Sequence, residues 1–230
     1  MQISIIVPVL NEAACIAQTL EALLQLQGEK EIIVVDGGST DDTRAIAAAR
    51  QGVTVVTSKP GRGTQMHTGT LAATGEVLWF VHADTVPLAS ALTEILGALE
   101  DRSVVAGNFG LLFDGSSRAA RQLTGIYPYL RNLGLCYGDS GIFVRRTVYD
   151  AIGGFRPLAL FEDLDLLRRL RSAGRFVHLS SRIRTSSRRF ENRNFAVMWL
   201  QWTTLQILYW CGVSPDWLAR CYRHARSSQE

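Results

Sequence analysis

Four short apolar runs, with helical patterns between them, occupy the first third of the chain. They cover residues 3–9, 31–35, 53–56 and 77–81. The segments between consecutive runs carry apolar residues at the three- and four-residue spacing of an amphipathic helix. This β-α-β-α-β-α-β order is typical of a doubly wound sheet with helices on both faces. The sequence therefore predicts an α/β fold with a Rossmann-like, mostly parallel sheet.

The fourth run leads directly into a polar tip, His82-Ala83-Asp84-Thr85. Five consecutive apolar residues bounded by Gly75 and Pro87 predict a strand buried on both faces. Ligands of open parallel sheets bind beyond the carboxyl ends of the strands, where Asp84 would lie. A carboxylate there is costly without a cation, and a divalent metal ion is the partner we favour. The alternative is that Asp84 or Thr85 caps a helix beginning near Pro87.

Two further loops follow strands at the same predicted edge of the sheet. Asp36 closes the second run, where an acid can hold a ribose or a base, although turn chemistry also explains it. The glycine-rich loop at residues 59–65 contains Arg62, which suits either a phosphate contact or an exposed turn. No G-x-G-x-x-G sequence follows the first run, which disfavours a dinucleotide-binding fold. We expect Ser39 or Thr40 to cap a helix over residues 41–50.

The pattern changes after residue 100. Residues 104–113 alternate like an exposed strand, which predicts a mixed, antiparallel region. Residues 118–134 predict a helix that Tyr127-Pro128-Tyr129 interrupts. The stretch Gly138-Asp139-Ser140-Gly141 is similar to a serine-protease loop, but its strand and helix context differs and no partner histidine is evident, so we discount that interpretation.

Three acids, Glu162, Asp163 and Asp165, open another predicted helix. Acids in a first turn complement the helix dipole, which is a sufficient structural reason for them. Asp163 and Asp165, however, cannot face the same way on a helix. At least one acid can therefore point into a cleft and act as a base.

Charge is divided unevenly along the chain. Residues 1–117 contain 6 Lys and Arg against 13 Asp and Glu, whereas residues 118–230 contain 18 against 8. Nearly all of the cations are arginines, so the basic half suits phosphate groups or an anionic membrane surface, or is simply a solvated face. We expect no nucleic-acid partner.

The uncharged aromatic stretch at residues 195–213 is just long enough to span a bilayer, but its glutamines and threonines argue against spanning. We expect a helix that lies at a membrane interface, or that packs on the protein body or on a partner subunit in a homodimer. Four scattered cysteines indicate a reducing compartment, and no signal peptide is predicted, so we expect a cytoplasmic protein. The basic half and the aromatic stretch add the hypothesis of peripheral attachment to the inner membrane face.

Six motif segments follow one another along the chain. They are Pro8 with Asn11-Glu12, the Asp36 loop, Arg62-Gly63, His82-Ala83-Asp84, Gly138-Asp139, and Gly153-Gly154-Phe155 before Glu162-Asp163. Taken in order, these segments resemble those of family 2 glycosyltransferases. The resemblance extends over residues 3–190, and its order is more specific than any one motif. The ending at residues 185–190 is similar to a small bacterial subgroup, the radical-SAM/selenodomain-associated glycosyltransferases.

The resemblance implies a GT-A fold and inverting transfer of a sugar from a nucleoside-diphosphate sugar, for which we expect a UDP- or GDP-type donor. The acceptor is unknown, and a lipid-linked hydroxyl is one candidate. It implies a requirement for Mg²⁺ or Mn²⁺, held by Asp84, and His82 is a second candidate ligand from its own chemistry. It also implies Asp163 as general base with Glu162 beside it. The residues implied for nucleotide-sugar binding are Pro8, Asn11, Glu12, Asp36, Arg62, Gln65, Asp84 and Asp139.

Two departures from the family pattern bear on function. His82 stands where such families usually have the first acid of Asp-x-Asp, so it is either a neutral ligand or a hydrogen-bonding substitute. No Q-x-x-R-W motif is present, and Arg189-Phe190 is at most a remnant of it. We therefore predict one sugar per acceptor rather than a growing polymer.

We predict one GT-A domain over residues 1–230. Residues 1–100 would bind the nucleotide sugar, residues 101–192 would form the acceptor and catalytic half, and residues 193–230 would be a helical extension. Two alternatives are a sugar nucleotidyltransferase and a non-catalytic sugar-nucleotide sensor. The first would need a Lys-bearing glycine-rich loop after the first strand, which residues 8–14 lack.

Overall fold

The structure, a computed structural model, describes residues 1–115, 118–132, 137–187 and 195–227. These residues form one sheet of eight strands in the order β3-β2-β1-β4-β7-β6-β8-β5. The strands are β1 (Ile3–Val9), β2 (Lys30–Asp36), β3 (Val53–Thr57), β4 (Val77–Phe80), β5 (Thr85–Val86), β6 (Val104–Phe113), β7 (Phe143–Arg145) and β8 (Arg175–Thr185). The helices are α1 (Ile16–Gln25), α2 (Thr43–Ala48), α3 (Arg62–Ala72), α4 (Ala91–Ala98), α5 (Arg118–Asn132), α6 (Arg146–Ala151), α7 (Glu162–Ala173), α8 (Phe195–Trp210) and α9 (Pro215–Ser227).

The first four strands are parallel, as the alternation of runs and helices predicts. β1 lies between β2 and β4, so the strand order reverses beside it. The four residues of β4 are at most 1% exposed, which confirms the predicted strand buried on both faces. Trp79 alone is a large side chain whose full burial stabilises the fold by about 2 to 3 kcal/mol. The reversal at β1 creates the crevice at the carboxyl edge where ligands of such sheets bind.

Helix α3 packs unusually close to β1, and this contact places Arg62. An added Cβ at Gly69 would lie only 2.5 Å from Ile6 Cγ2 and 2.9 Å from Val35 Cγ2. Only glycine allows that approach without moving the sheet. Because α3 is fixed along its length, its first residue, Arg62, is held at the carboxyl edge of the sheet.

The second half of the sheet is mixed, as predicted. β7 is antiparallel to both β4 and β6, and β6 runs parallel to β8. Two details of the prediction are wrong. β6 is buried along most of its length, because helix α5 covers it. Helix α5 continues through Pro128 without interruption over Arg118–Asn132.

The remaining differences concern helix starts. Helix α2 begins after Asp42, and neither Ser39 nor Thr40 caps it. Asp84 and Thr85 cap no helix either, since Thr85 enters β5 and α4 begins only at Ala91. The helix-cap alternative for Asp84 is therefore excluded.

Helices α8 and α9 pack on the body around Phe161, the residue that precedes α7. The Phe161 ring lies 4.9 Å from that of Tyr209 and 6.4 Å from that of Trp202. Leu205 and Leu218 complete this small apolar cluster. Within the described parts of the chain, no helix combines the length and the apolar character needed to cross a membrane.

Candidate active site

A cavity of about 170 Å³ opens where α7, α5 and α8 meet the edge of the sheet. Its polar side chains are clustered, and its remaining wall is largely apolar and aromatic. The polar residues are Arg62, His82, Asp139, Asp163 and Gln201. Four of these come from loops or helix starts, each anchored by a buried strand or helix.

Asp163 is a buried carboxylate of this cavity, only 4% exposed, and backbone hydrogen bonds fix both of its oxygens. Its Oδ2 accepts a hydrogen bond from the Gly138 N–H at 2.7 Å, and its Oδ1 accepts one from the Leu164 N–H at 2.8 Å. Burial raises the pKa of Asp163, and the neighbouring Glu162 carboxylate raises it further. Arg62 and the two N–H donors oppose that rise, and the pKa stays above its usual value.

Arg62 is the cation of this cluster. Its Nε donates to Glu162 Oε1, and its Nη2 lies 3.9 Å from Asp163 Oδ2. Desolvation would lower the pKa of Arg62, but Glu162, Asp163 and then Asp139 outweigh it and raise that pKa. The guanidinium is therefore permanently charged, and its side chain keeps 34% exposure toward the cavity.

Asp165 faces away from the cavity, as helix geometry predicts for a residue two positions from Asp163. Its Oδ2 accepts hydrogen bonds from Arg169 Nε at 2.9 Å and Nη2 at 2.6 Å, and Arg156 lies 3.4 Å from its Oδ1. Those partners satisfy the buried carboxylate. Asp165 therefore has a structural role, and Asp163 is the acid that reaches the cleft.

A buried polar chain that the sequence did not reveal positions the loop opposite Asp163. His178 Nδ1 donates to Asn108 Oδ1 at 2.7 Å, and Asn108 Nδ2 donates to Ser140 Oγ at 2.9 Å. Ser140 Oγ then donates to the Tyr137 carbonyl at 2.6 Å. Residues 138–140 form a short 3-10 helix that carries Asp139 to the cavity. The chain joins residues up to 70 positions apart, so no local pattern announces it.

His82 lies close to the predicted base. An added Cβ at Gly138 would be 3.3 Å from His82 Nε2 and 3.4 Å from Asp163 Oδ2, so the three residues meet at one point. Asp84, two residues later, lines an adjacent hollow with the start of α1 and Arg184. Sequence proximity thus does not bring both side chains into one cavity.

Asp84 suits a divalent ion through the chemistry of its oxygen atoms. Among the residues that the structure describes, no group of three or more His, Cys, Asp or Glu side chains could hold a metal ion. Mg²⁺ and similar ions, however, commonly bind one or two carboxylates and take their other ligands from water and substrate phosphates. The half-buried Asp84 therefore fits as a single protein ligand for an ion shared with a diphosphate.

The residues predicted for the nucleoside side lie together beyond the ends of β1 and β2. The Asn11 N–H donates to Ser39 Oγ at 3.0 Å, and Asn11 Oδ1 accepts from the Thr40 N–H at 2.8 Å. The Glu12 N–H donates to Thr43 Oγ1 at 2.7 Å. These bonds join the two loops into one unit, with the buried Pro8 in the strand beneath.

Two other residues predicted for nucleotide binding already bond to the protein backbone. Asp36 Oδ1 accepts a hydrogen bond from the Ser39 N–H at 3.0 Å, so Asp36 stabilises the turn that follows β2. Gln65 Nε2 donates to the carbonyls of Val9 and Val35 at 2.8 and 2.9 Å, and Gln65 is 3% exposed. Gln65 thus joins the ends of β1 and β2 and shapes the floor beneath the loops. Of the motif segments, Arg188, Arg189 and Phe190 lie outside the described residues.

Comparison with known proteins gives this arrangement a context. The family model described as glycosyl transferase family 2 matches residues 4–156. An uncharacterized glycosyltransferase of Nostoc sp. is 31% identical over 177 residues, which are 69% of this chain and 55% of that protein. The chain spans about half of the length of the curated relatives it matches.

Two solved structures share the fold. The mannosyltransferase PcManGT from Pyrobaculum calidifontis, in complex with GDP-Man and Mn²⁺, superposes with a TM-score of 0.67 at 19% identity, over 90% of this chain and 61% of that one. The glucosyl-3-phosphoglycerate synthase of Mycobacterium tuberculosis, with Mn²⁺ and UDP-glucose, gives 0.63 at 22% identity, over 92% and 79%. The predicted GT-A architecture is thereby confirmed.

Proposed function

Because the chain belongs to glycosyl transferase family 2, we propose that it transfers one sugar, with inversion, from a nucleoside-diphosphate sugar to an acceptor hydroxyl. The observation that carries this proposal is Asp163, a carboxylate of raised pKa that two backbone N–H groups aim into the cavity. UDP-sugars and GDP-mannose, which similar structures hold, are the donor classes to try first.

Asp163 acts as the general base in this proposal. The acceptor hydroxyl lies beside Asp163 Oδ2, and its proton passes to the carboxylate as its oxygen attacks the anomeric carbon. The bond from that carbon to the diphosphate breaks on the opposite face of the sugar, which inverts the configuration. One base is sufficient for such a displacement. A raised pKa improves proton acceptance at neutral pH, provided the group remains ionised.

Arg62 helps to keep the Asp163 carboxylate ionised, and Glu162 holds Arg62 in position. The guanidinium offsets the repulsion between two adjacent buried carboxylates, which would otherwise hold a proton between them. The exposed part of Arg62 also offers positive charge to a phosphate of the donor. Glu162 is thus a positioning residue, since it orients Arg62 and does not need to touch the acceptor.

The donor lies across the loops after β1, β2 and β4 in this proposal. Pro8, Asn11, Glu12 and Asp36 surround the nucleoside, and Asp139 approaches the sugar. Asp84 would hold Mg²⁺ or Mn²⁺ as the single protein ligand, whereas His82, which the sequence suggested as a second ligand, lines the neighbouring cavity beside Asp163. When bound, the ion neutralises charge on the departing diphosphate as a Lewis acid.

The test compares Asp163→Asn with Asp84→Ala and with the control Asp150→Asn, an exposed acid on α6. Release of nucleoside diphosphate is measured with Mn²⁺, and donor binding is measured by thermal shift. We expect Asp163→Asn to lose turnover at least 100-fold but keep donor binding, and Asp84→Ala to lose both. Normal rates in Asp163→Asn would show that the base is another group. Tight nucleotide binding by the wild type without turnover of any acceptor would favour a sensor.

We further propose that the protein works at the cytoplasmic face of the membrane, by peripheral attachment. The outward face of α8 presents Val197, Leu200, Ile207 and Trp210, which are 50% to 68% exposed. The basic second half adds attraction for anionic headgroups. Flotation with phosphatidylserine vesicles at low salt is the test. Equal recovery with and without vesicles at low ionic strength, where screening is weakest, would remove the idea.

A further inference from the structure

The apolar part of the cavity beside Asp163 points to the chemical class of the acceptor. We propose that the acceptor is an alcohol or phenol carrying a compact apolar group about the size of one aromatic ring. The hydroxyl lies at Asp163, and the apolar group fills the cavity between the sheet and helices α5, α8 and α9. This inference rests on the transferase function proposed above.

The wall of the cavity is apolar on several independent elements. Strand β6, helix α5 and helix α8 all contribute apolar or aromatic side chains, which are Leu111, Phe113, Leu123, Tyr127, Leu130, Trp199 and Trp202. Such a lining favours an apolar occupant, because a hydroxyl or phosphate facing it would lose its water without gaining a hydrogen bond. A sugar phosphate or a polyol is therefore a poor fit for this part of the cavity.

Four of the five polar side chains of the cavity lie at one end, and the fifth, the uncharged Gln201, belongs to helix α8. Asp163, Asp139 and His82 lie around the 3-10 helix, and Arg62 lies beside them. An occupant with one hydroxyl therefore has a single orientation that pairs the hydroxyl with an acceptor atom, and this orientation presents it to the base. The same contacts that bind the apolar group thus position the reacting oxygen.

The size of the cavity limits the apolar group. It encloses about 170 Å³, which is slightly more than the roughly 150 Å³ of an engineered apolar cavity that binds benzene. One aromatic ring, or an alkyl or isoprenyl group of similar volume, therefore fills it. A longer chain would extend beyond this volume.

The first experiment compares acceptors of matched reactivity. Wild type is given Mn²⁺, either UDP-glucose or GDP-mannose as donor, and benzyl alcohol, 2-phenylethanol or glycerol as acceptor, without lipid. We expect kcat/KM to be at least tenfold higher for the two aromatic alcohols than for glycerol. Trp199→Ala should raise KM for benzyl alcohol about tenfold, as expected when about 55 Å² of apolar contact is lost. The control Trp217→Ala, on α9, 52% exposed and outside this cavity, should leave KM unchanged.

A second measurement does not depend on turnover. Binding of 4-nitrobenzyl alcohol in the cavity should quench tryptophan fluorescence saturably, because Trp199 and Trp202 line it. The saturable part should shrink in Trp199→Ala and persist in Trp217→Ala. Circular dichroism checks that both variants are folded.

The outcomes separate the two proposals. If donor is neither bound nor slowly hydrolysed, the transferase function fails, whatever the quenching shows. If donor is consumed but glycerol is a better acceptor than benzyl alcohol, or if quenching is not saturable, the apolar acceptor is refuted while the transferase function stands.

Discussion

Removing the charge of Arg62 or that of Glu162 should move the pH dependence of the enzyme in opposite directions. Arg62→Gln takes away the cation that opposes the rise in the pKa of Asp163, so that pKa should increase. Glu162→Gln takes away the adjacent negative charge and leaves Arg62 to Asp163 alone, so the pKa should decrease. The acid limb of kcat/KM against pH reports the base of the free enzyme.

The geometry sets the size of the shift. Two unit charges 3.9 Å apart interact by about 4 kcal/mol at an effective dielectric constant of 20, or about three pKa units. The Arg62 side chain is 34% exposed, so water screens part of this energy. We expect the acid limb to rise by about one unit in Arg62→Gln and to fall by about half to one unit in Glu162→Gln. The double variant should return close to the wild type.

The assay is release of nucleoside diphosphate from the donor between about pH 5 and pH 9. The control is Arg175→Gln, which removes a surface ion pair with Asp101 whose side chains are 63% and 47% exposed. Urea unfolding corrects for the folded fraction, since Arg62→Gln leaves two buried acids without a cation and should lose roughly 1 to 3 kcal/mol. Limbs that move in the same direction, or that stay in place in folded protein, would show that the titrating base is not Asp163.

Three further outcomes concern stability. Gly107→Ala should lower the free energy of unfolding by about 1 to 3 kcal/mol, because the added Cβ would lie 2.4 Å from Phe143 Cζ. Gly97→Ala, with open space around this position in α4, should raise the free energy of unfolding by up to about 1 kcal/mol. Urea denaturation of both variants measures the two changes. Desolvation, and after it Arg131 and Arg171, lower the pKa of His178 to about 4. As the pH drops from about 6.5 to 4, His178 is protonated in the unfolded chain but not in the folded protein, so stability should fall. After screening the loss is roughly 1 to 2 kcal/mol, and it should be absent in His178→Asn. Asn108→Ala should cost about 1 to 3 kcal/mol by leaving Ser140 and His178 without their partner, and no change in its unfolding midpoint would contradict that chain.

The sequence predicted the parallel half of the fold because each part of that prediction is local. Apolar runs and helical spacing decide element type, and short βα connections leave few arrangements for β1 to β4. The second half depends on contacts between distant segments. β7 enters the sheet beside β4 through pairs such as Val77 with Arg145, which no local spacing specifies. The burial of β6 is equally non-local, since α5 provides it.

The site was predictable where one side chain carries the chemistry, and not where several share it. Helix geometry shows that the side chains of Asp163 and Asp165 point in different directions. Which of the two forms a buried ion pair depends on Arg169, which pairs with Asp165. The bonds of Gln65 to two strand ends could not be predicted, because they depend on how closely α3 approaches the sheet. Nor could the link from His178 to Ser140, whose members are separated by whole elements.

Phe161 joins the tail of the protein to its chemistry. It adopts the left-handed conformation, with φ of 63°, immediately before Glu162 and Asp163. For a bulky residue this conformation costs about 1 kcal/mol or more, and its ring is held by an edge-to-face contact with Trp202 and a tilted contact with Tyr209. The last two helices therefore act as a clamp on the first turn of α7. We expect that a protein truncated before residue 195 would keep its sheet but lose the contacts of α8 and α9 with Phe161. Glu162 and Asp163 would then no longer be held in position.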